Sequence, residues 1–214
     1  MIKLTPPMGW NSWNTFGENI NEKMILKLLM SWPRAACAIK DTNILSSTTA
    51  GPYVNAMKTA VLCGSGKFPH GMKAVADYVH SKGLKFGMYS CAGNMTCAGY
   101  PGSYEHEFVD AETFASWDVD FLKYDYCYHS PILHGKYLYR RMGLALENCG
   151  RDILFSACSW GADETHEWIK ETGASMWRST GDIFDTWDSV KDLVAQQEKL
   201  HPYNASAAST IWTC

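Results

Sequence analysis

From Lys67 onward the apolar positions of the chain fall into two alternating periods. The run MKAVADYVHSKG (72–83) repeats an apolar pair four residues apart, Ala74/Val75 and Tyr78/Val79, which predicts one buried helix face stopped by Gly83. LKFGMYS (84–90) follows as a short buried strand, and a polar, glycine-rich loop runs from Ala92 to Ser103. The alternation then continues with a helix near Ala111–Trp117, the strand VDFLKYDY (119–126) and a helix over about 135–148. After it come the strand ILFSACSW (153–160), a helix over about 164–172, the strand SMWRSTGD (175–182) and a helix over about 185–200. Strands alternating with helices of this length predict βα units around a parallel sheet. In such sheets the polar groups at strand C-termini face the active site. Each strand here ends on such groups: Tyr89-Ser90-Cys91, Lys123-Tyr124-Asp125, Cys158-Ser159-Trp160 and Arg178-Ser179-Thr180-Gly181-Asp182.

Residues 24–66 break the pattern. These 43 residues hold one acid, Asp41, although the whole chain carries 22, and they show no amphipathic period and no convincing strand end. From composition alone they read as a variable loop or insertion.

Composition narrows this picture. With 214 residues, 46% hydrophobic and 19% charged, the chain is a globular domain able to bury a sizeable core, not a disordered tail or coiled coil. A net charge of -3 leaves no electrostatic footprint for nucleic acid or an anionic membrane, and no stretch reaches the roughly 20 apolar residues of a membrane span. The eight cysteines form no CxxC and no Cys/His metal spacing, which argues against structural zinc. MIKLTPPMGWNSWN lacks the apolar core of a secretory signal, so the default expectation is a cytoplasmic protein, with secretion after removal of a signal as the alternative. The 9 Trp and 11 Tyr hint at sugar handling.

Two carboxylates carry the candidate chemistry. Asp125 closes the apolar strand FLKYD with Lys123 two residues back on the same face. A carboxylate beside a cation stays ionised, as a nucleophile or electrostatic stabiliser must. Asp182 ends WRSTGD with Arg178 four residues before it. Two carboxylates on nearby strand ends of one face are the raw material for glycoside hydrolysis. The bland alternative for either is a helix cap or loop salt bridge, and Asp185, opening the next helix, reads as an N-cap. Trp10, Trp13, Trp160 and Trp177 lie near strand ends, where indoles stack on sugars, although individually such residues are more often core. GSGK (64–67) faintly suggests a phosphate loop but lacks the GxxxxGK[ST] spacing.

The motifs TPPMGWNSWN, FPHGMKAVADYVHSKGLKFGMYS, AGNMTCAGYPGS, HEFVDAETFASWDVDFLKYDYC, FSACSWG and WRSTGDI together resemble the retaining α-galactosidases, or melibiases, of glycoside hydrolase family 27. The resemblance covers residues 1–23 and 67–204. It implies a (β/α)8 TIM barrel, followed in the family by an antiparallel β domain. It further implies no cofactor, no metal and a small galactoside substrate, and leaves the oligomeric state open. By the same resemblance Asp125 matches the nucleophile and Asp182 the acid/base, with carboxyls about 5–5.5 Å apart for retention. Trp13, Tyr89, Lys123 and Arg178 match positions lining the galactose pocket. Cys97 and Cys127 match a disulfide, which would be unusual in the cytoplasm. Ser159 and Ala162 match positions meeting the C2 substituent, where small side chains resemble α-N-acetylgalactosaminidases. That specificity is the alternative, alongside a catalytically inactive sugar-binding fragment.

The chain departs from the family at strand two, where a motif Ile-Asp-Asp-Cys-Trp is expected. Here Ser47-Thr48-Thr49-Ala50-Gly51 stands, and suitable codons for those residues, read one nucleotide earlier, spell Ile-Asp-Asp-Cys-Trp. Asp41-Thr42-Asn43 shifts likewise to Gly-Tyr-Lys-Tyr, and Lys27 to Trp32 to Glu-Thr-Ala-Asp-Val-Met. Ala205 to Cys214 shifts to a sequence ending Asn-Asp-Met-Asp-Met-Leu, the family's next strand end. The expectation is therefore a partial barrel over 1–214 with out-of-frame segments near 25–66 and 205–214. Strands one and three to six would be recognisable, strand two scrambled, and strands seven and eight and the β domain missing. An open parallel sheet leaves unpaired backbone groups, so the chain as written is expected to be insoluble or inactive.

Overall fold

The computed structural model describes residues 8–31, 43–46, 66–204 and 212–213. Its centre is one all-parallel sheet of seven strands in sequential order. These are β1 (Met8–Asn11), β2 (Asn43–Ser46), β3 (Lys85–Cys91), β4 (Phe121–Asp125), β5 (Leu154–Cys158), β6 (Met176–Trp177) and β7 (Trp212–Thr213). The helices are α1 (Trp13–Phe16), α2 (Glu22–Ser31), α3 (Gly71–Ser81), α4 (Glu107–Ser116), α5 (Gly135–Asn148), α6 (Thr165–Trp168) and α7 (Trp187–Asn204). Each strand adds beside its predecessor, as in a barrel with right-handed βα crossovers. No described helix is long and apolar enough to cross a membrane.

The strands are apolar on both faces because both are covered. Leu122, Tyr124, Phe155, Ala157 and Trp177 belong to the main core with Tyr139 and Met142 of α5 and Phe114 of α4. Tyr124 meets the Tyr139 ring edge-on at 5.5 Å and Phe155 at 5.9 Å. The alternate residues Phe121, Leu154 and Met176 form a separate apolar plug inside the sheet. Each such fully buried large side chain contributes about 1.5–3 kcal/mol relative to exposure. At the N-terminal ends of the strands, Arg151 grips Asp118 at 2.9 Å and Asp120 at 2.8 Å, while Asp120 also accepts from the Phe86 amide and contacts His80. This charge cluster braces the face opposite the strand ends that carry the candidate chemistry.

Four expectations are corrected. Residues 24–31 do carry an amphipathic period: α2 buries Ile25 and Leu29, four residues apart, against the core. Strands also occupy the second and seventh places of the sheet, at 43–46 and 212–213, inside the two segments read as out of frame. An eighth strand is not among the described residues. The helix expected over 164–172 is broken into a 3-10 turn (Ala162–Glu164), one α-turn and a second 3-10 turn (Ile169–Thr172), because Asp163 and Glu164 sit in left-handed backbone. Asp185 does not cap α7; the Thr186 hydroxyl accepts the Ser189 amide at 3.3 Å, and the Ser189 hydroxyl accepts the Phe184 amide at 2.9 Å. Residues 47–51, and Gly64 and Ser65 of GSGK, lie outside the described residues.

Candidate active site

The parallel register lines up Cys91, Asp125 and Cys158 at the C-terminal ends of β3, β4 and β5, with Tyr89, Lys123 and Ser156 one inward layer below. Asp125 is only 5% exposed. A buried carboxylate needs hydrogen bonds, and it has them. The Tyr126 amide donates to Oδ1 at 2.8 Å and the Tyr89 hydroxyl donates to Oδ2 at 3.1 Å. Burial, then the negative charge of Asp125, pushes the Tyr89 phenol far above its ordinary range, so Tyr89 stays a donor to the carboxylate. The Lys123 ammonium lies 5.7 Å from the Tyr89 ring centroid, a cation–π arrangement in the same layer.

Around this carboxylate the β3 and β4 loops are zipped together. Cys97 and Cys127 form a disulfide with Cα atoms 5.3 Å apart, and the Asn94 amide donates to the Tyr128 carbonyl at 3.2 Å. Gly93 permits the close approach, since a Cβ there would strike the carbonyls of Cys127 and Tyr128. Among the described residues one group of potential metal ligands gathers, Cys97, Asp125 and Cys127, but two sulfurs joined in a cystine offer no thiolate to an ion. Cys91 is a buried thiol whose pKa is pushed up to about 12, chiefly by burial, which keeps it protonated and unreactive.

Arg178 continues β6 past Trp177, its amide bonded to the Ala157 carbonyl at 2.8 Å. Its guanidinium passes over the end of β5, with Nη1 3.9 Å from Cys158 Sγ, and pairs through Nη2 with Asp182 at 2.7 Å. Arg178 therefore spans from the row of Asp125 to Asp182, whose side chain is 74% exposed on the rim. Trp13, at the start of α1 just past β1, is 37% exposed on the same side. Trp160 is half-buried, while Trp10 packs against Phe16 at 6.0 Å and Trp177 is core. Ser159 is fully buried, and its hydroxyl is 2.7 Å from that of Thr165, which in turn donates to the Ala162 carbonyl. Ser159 thus braces the turn after β5, and Ala162, half-buried, stands nearer the surface. Sequence reasoning passed over Tyr126 and Asp163. The adjacency of Tyr126 to Asp125 was the available signal, whereas Asp163 had none.

The chain is 46% identical to an alpha-galactosidase A of Cellvibrio japonicus over 87% of its own length and 46% of that protein. It is 47% identical to an alpha-galactosidase of Coffea arabica, over 88% of the chain and 50% of that protein. The structure of alpha-galactosidase I from Mortierella vinacea superposes with a TM-score of 0.85 at 30% identity, covering 98% of this chain and 58% of the other. The chain spans about half the length of the curated relatives it matches. With the Melibiase_2 family model, described as Alpha galactosidase A, matching residues 55–212, the chain belongs to the melibiase family of glycoside hydrolases, and its sheet is a partial (β/α)8 barrel.

Proposed function

We propose that the chain carries the catalytic strands of a retaining α-galactosidase, which releases terminal α-galactosyl residues from small galactosides. The observation that carries this is Asp125, a buried carboxylate at a barrel strand end, with both oxygens oriented by Tyr126 and Tyr89. Asp125 attacks the anomeric carbon and forms a covalent galactosyl ester. Asp182 protonates the departing oxygen and then activates water for the second displacement. Arg178 orients Asp182, Lys123 and Tyr89 support Asp125 from below, and Trp13 offers an apolar rim to the sugar. An alpha-galactosidase of Saccharomyces cerevisiae with a TM-score of 0.84 to this chain has been solved with raffinose, which supports an oligosaccharide galactoside as the substrate class. N-acetylgalactosaminide cleavage is the second reading, favoured by the small side chain of Ala162 after β5.

We also infer that residues of about 25–66 and 205–214 are translated out of the family's frame. Support comes from the fold: β2 ends at Ser46, immediately before Ser47–Gly51, so a restored Ile-Asp-Asp-Cys-Trp would fall at the strand end where sugar-binding carboxylates belong. The coding DNA tests this directly, and codons at Ser47–Gly51 that do not spell the aspartate pair in the shifted frame would sink it. The chain as written lacks those aspartates and is expected to give no detectable hydrolysis of p-nitrophenyl α-galactoside. The frame-restored polypeptide is expected to cleave it, faster than the N-acetylgalactosaminide, releasing α-galactose first. Proton NMR of the anomeric signals checks this, and β-galactose as the first product would rule out the double displacement.

A further inference from the structure

One contact set next to the nucleophile, centred on the exposed Asp163 and the buried Tyr126, has no part in the chemistry just described. Asp163, in the turn after β5, directs a single carboxylate oxygen at both ends of the β4–α5 connection. Its Oδ2 accepts the Tyr126 hydroxyl at 2.5 Å and the backbone amide of Gly135, the first residue of α5, at 2.9 Å. Its own carbonyl accepts the Trp168 indole N–H at 2.6 Å. Tyr126 is the residue whose amide holds Asp125 Oδ1, and it is almost fully buried. Its ring stacks on His129 at 3.7 Å and meets Trp160 edge-on at 6.3 Å. Gly135 fits this contact without slack: a Cβ there would lie 3.0 Å from the Tyr126 hydroxyl oxygen and 3.2 Å from Asp163 Oδ2.

The backbone around Asp163 needs such a clamp. Trp160, Asp163 and Glu164 have φ of 60°, 52° and 54°, a left-handed conformation that costs non-glycine residues free energy. Three such residues within five persist only where side-chain contacts over-determine them. Burial alone would raise the Asp163 carboxyl, but the hydrogen bonds from the Tyr126 hydroxyl and the Gly135 amide, with the nearby His134 and His129, hold it below the usual carboxylate range. Burial and the hydrogen bond to Asp163 push the Tyr126 phenol well above its ordinary range, so the pair remains carboxylate and hydroxyl.

We infer that Asp163 is a positioning residue. It locks Tyr126, and through the Tyr126 amide fixes the orientation of the Asp125 carboxylate, while holding Trp160 as the wall beside it. The inference deepens the galactosidase reading and rests on it for the role of Asp125, but its geometry is testable without turnover.

Amide hydrogen exchange provides the test, on the 214-residue chain or, where that is insoluble, on the frame-restored polypeptide. Asp163→Ala is expected to speed exchange at Gly135 and Tyr126 by at least about tenfold while leaving Met142, mid-helix in α5, unchanged. Asp163→Asn, whose amide oxygen still accepts both bonds, is expected to restore protection. Tyr126→Phe removes only the hydroxyl, and serves if the alanine variant does not fold; it too is expected to speed exchange at Tyr126. Unchanged exchange at Tyr126 in whichever of these two variants folds overturns the inference, whether or not any form of the protein cleaves a galactoside. In the frame-restored polypeptide Asp163→Ala is expected to lower kcat about tenfold with KM changed less than about twofold, the pattern of a misaimed nucleophile rather than lost binding. Equal losses in Asp163→Asn and Asp163→Ala would assign the effect to charge and refute positioning. Absence of turnover in the frame-restored polypeptide without substitution removes the galactosidase reading alone, and the exchange data still decide the role of Asp163.

Discussion

Replacing Asp125 by Asn in the frame-restored polypeptide is expected to lower turnover of p-nitrophenyl α-galactoside by roughly 10⁴–10⁶-fold, the scale on which enzymes lose a covalent nucleophile. The asparagine oxygen still accepts the Tyr126 amide, and the side chain keeps the volume of the site beside Tyr89. Substrate affinity and melting temperature are therefore expected to stay near those of the parent, and the loss falls on kcat. Azide supplies the decisive control. In Asp125→Ala, which vacates the space of the nucleophile, azide attacks the anomeric carbon from the β face as p-nitrophenolate leaves, and yields β-galactosyl azide. A variant that retains more than about a hundredth of the parental kcat would move the nucleophile elsewhere.

Asp182→Ala should have a smaller effect that depends on the leaving group. General acid–base catalysis contributes about 10²–10⁴-fold. The full loss is expected for raffinose-type substrates, whose alkoxide needs a proton, and much less for the first step with p-nitrophenol. Because the Asp182 side chain is 74% exposed and its ion pair to Arg178 is at the rim, stability should change little. Here azide intercepts the galactosyl-enzyme from the α face and yields α-galactosyl azide. The two azide products, of opposite configuration, assign the two roles independently of rate. The same anomer from both variants would contradict the assignment.

How far the chain was legible followed from how locally each feature is encoded. The helix expected over about 135–148 was legible because its apolar positions repeat through Leu138, Met142 and Leu146, and His134 caps it by accepting the Lys136 amide. β4 was legible because Phe121, Leu122 and Tyr124 pack into the two apolar clusters. β6 came out as two residues rather than eight: Met176 and Trp177 pair with Ser156 and Ala157, and the Arg178 amide still bonds to the Ala157 carbonyl while its side chain reaches Cys158 and Asp182. The signal in α2 was present in Ile25 and Leu29 but was masked by the acid-poor composition around it. Asp163 could not be read at all. Its partners lie 28 and 37 positions away, and nothing in the turn Gly-Ala-Asp-Glu distinguishes a clamp from a solvent-facing acid. Ser159 matched a sugar contact by position, yet its hydroxyl is taken by Thr165 six residues later, a local bond that only the path of the turn discloses.

The sequential strand order has a consequence for synthesis. Every strand from β2 to β7 pairs with the one made just before it, so each can dock as it leaves the ribosome without waiting for a distant partner. An interruption late in the message then spares what is already assembled. The Asp125 pocket, built from β3, β4 and β5, is complete once Asp163 has been translated, some fifty residues short of Cys214. A lesion in such a gene would silence the enzyme while leaving the nucleophile's surroundings in native register.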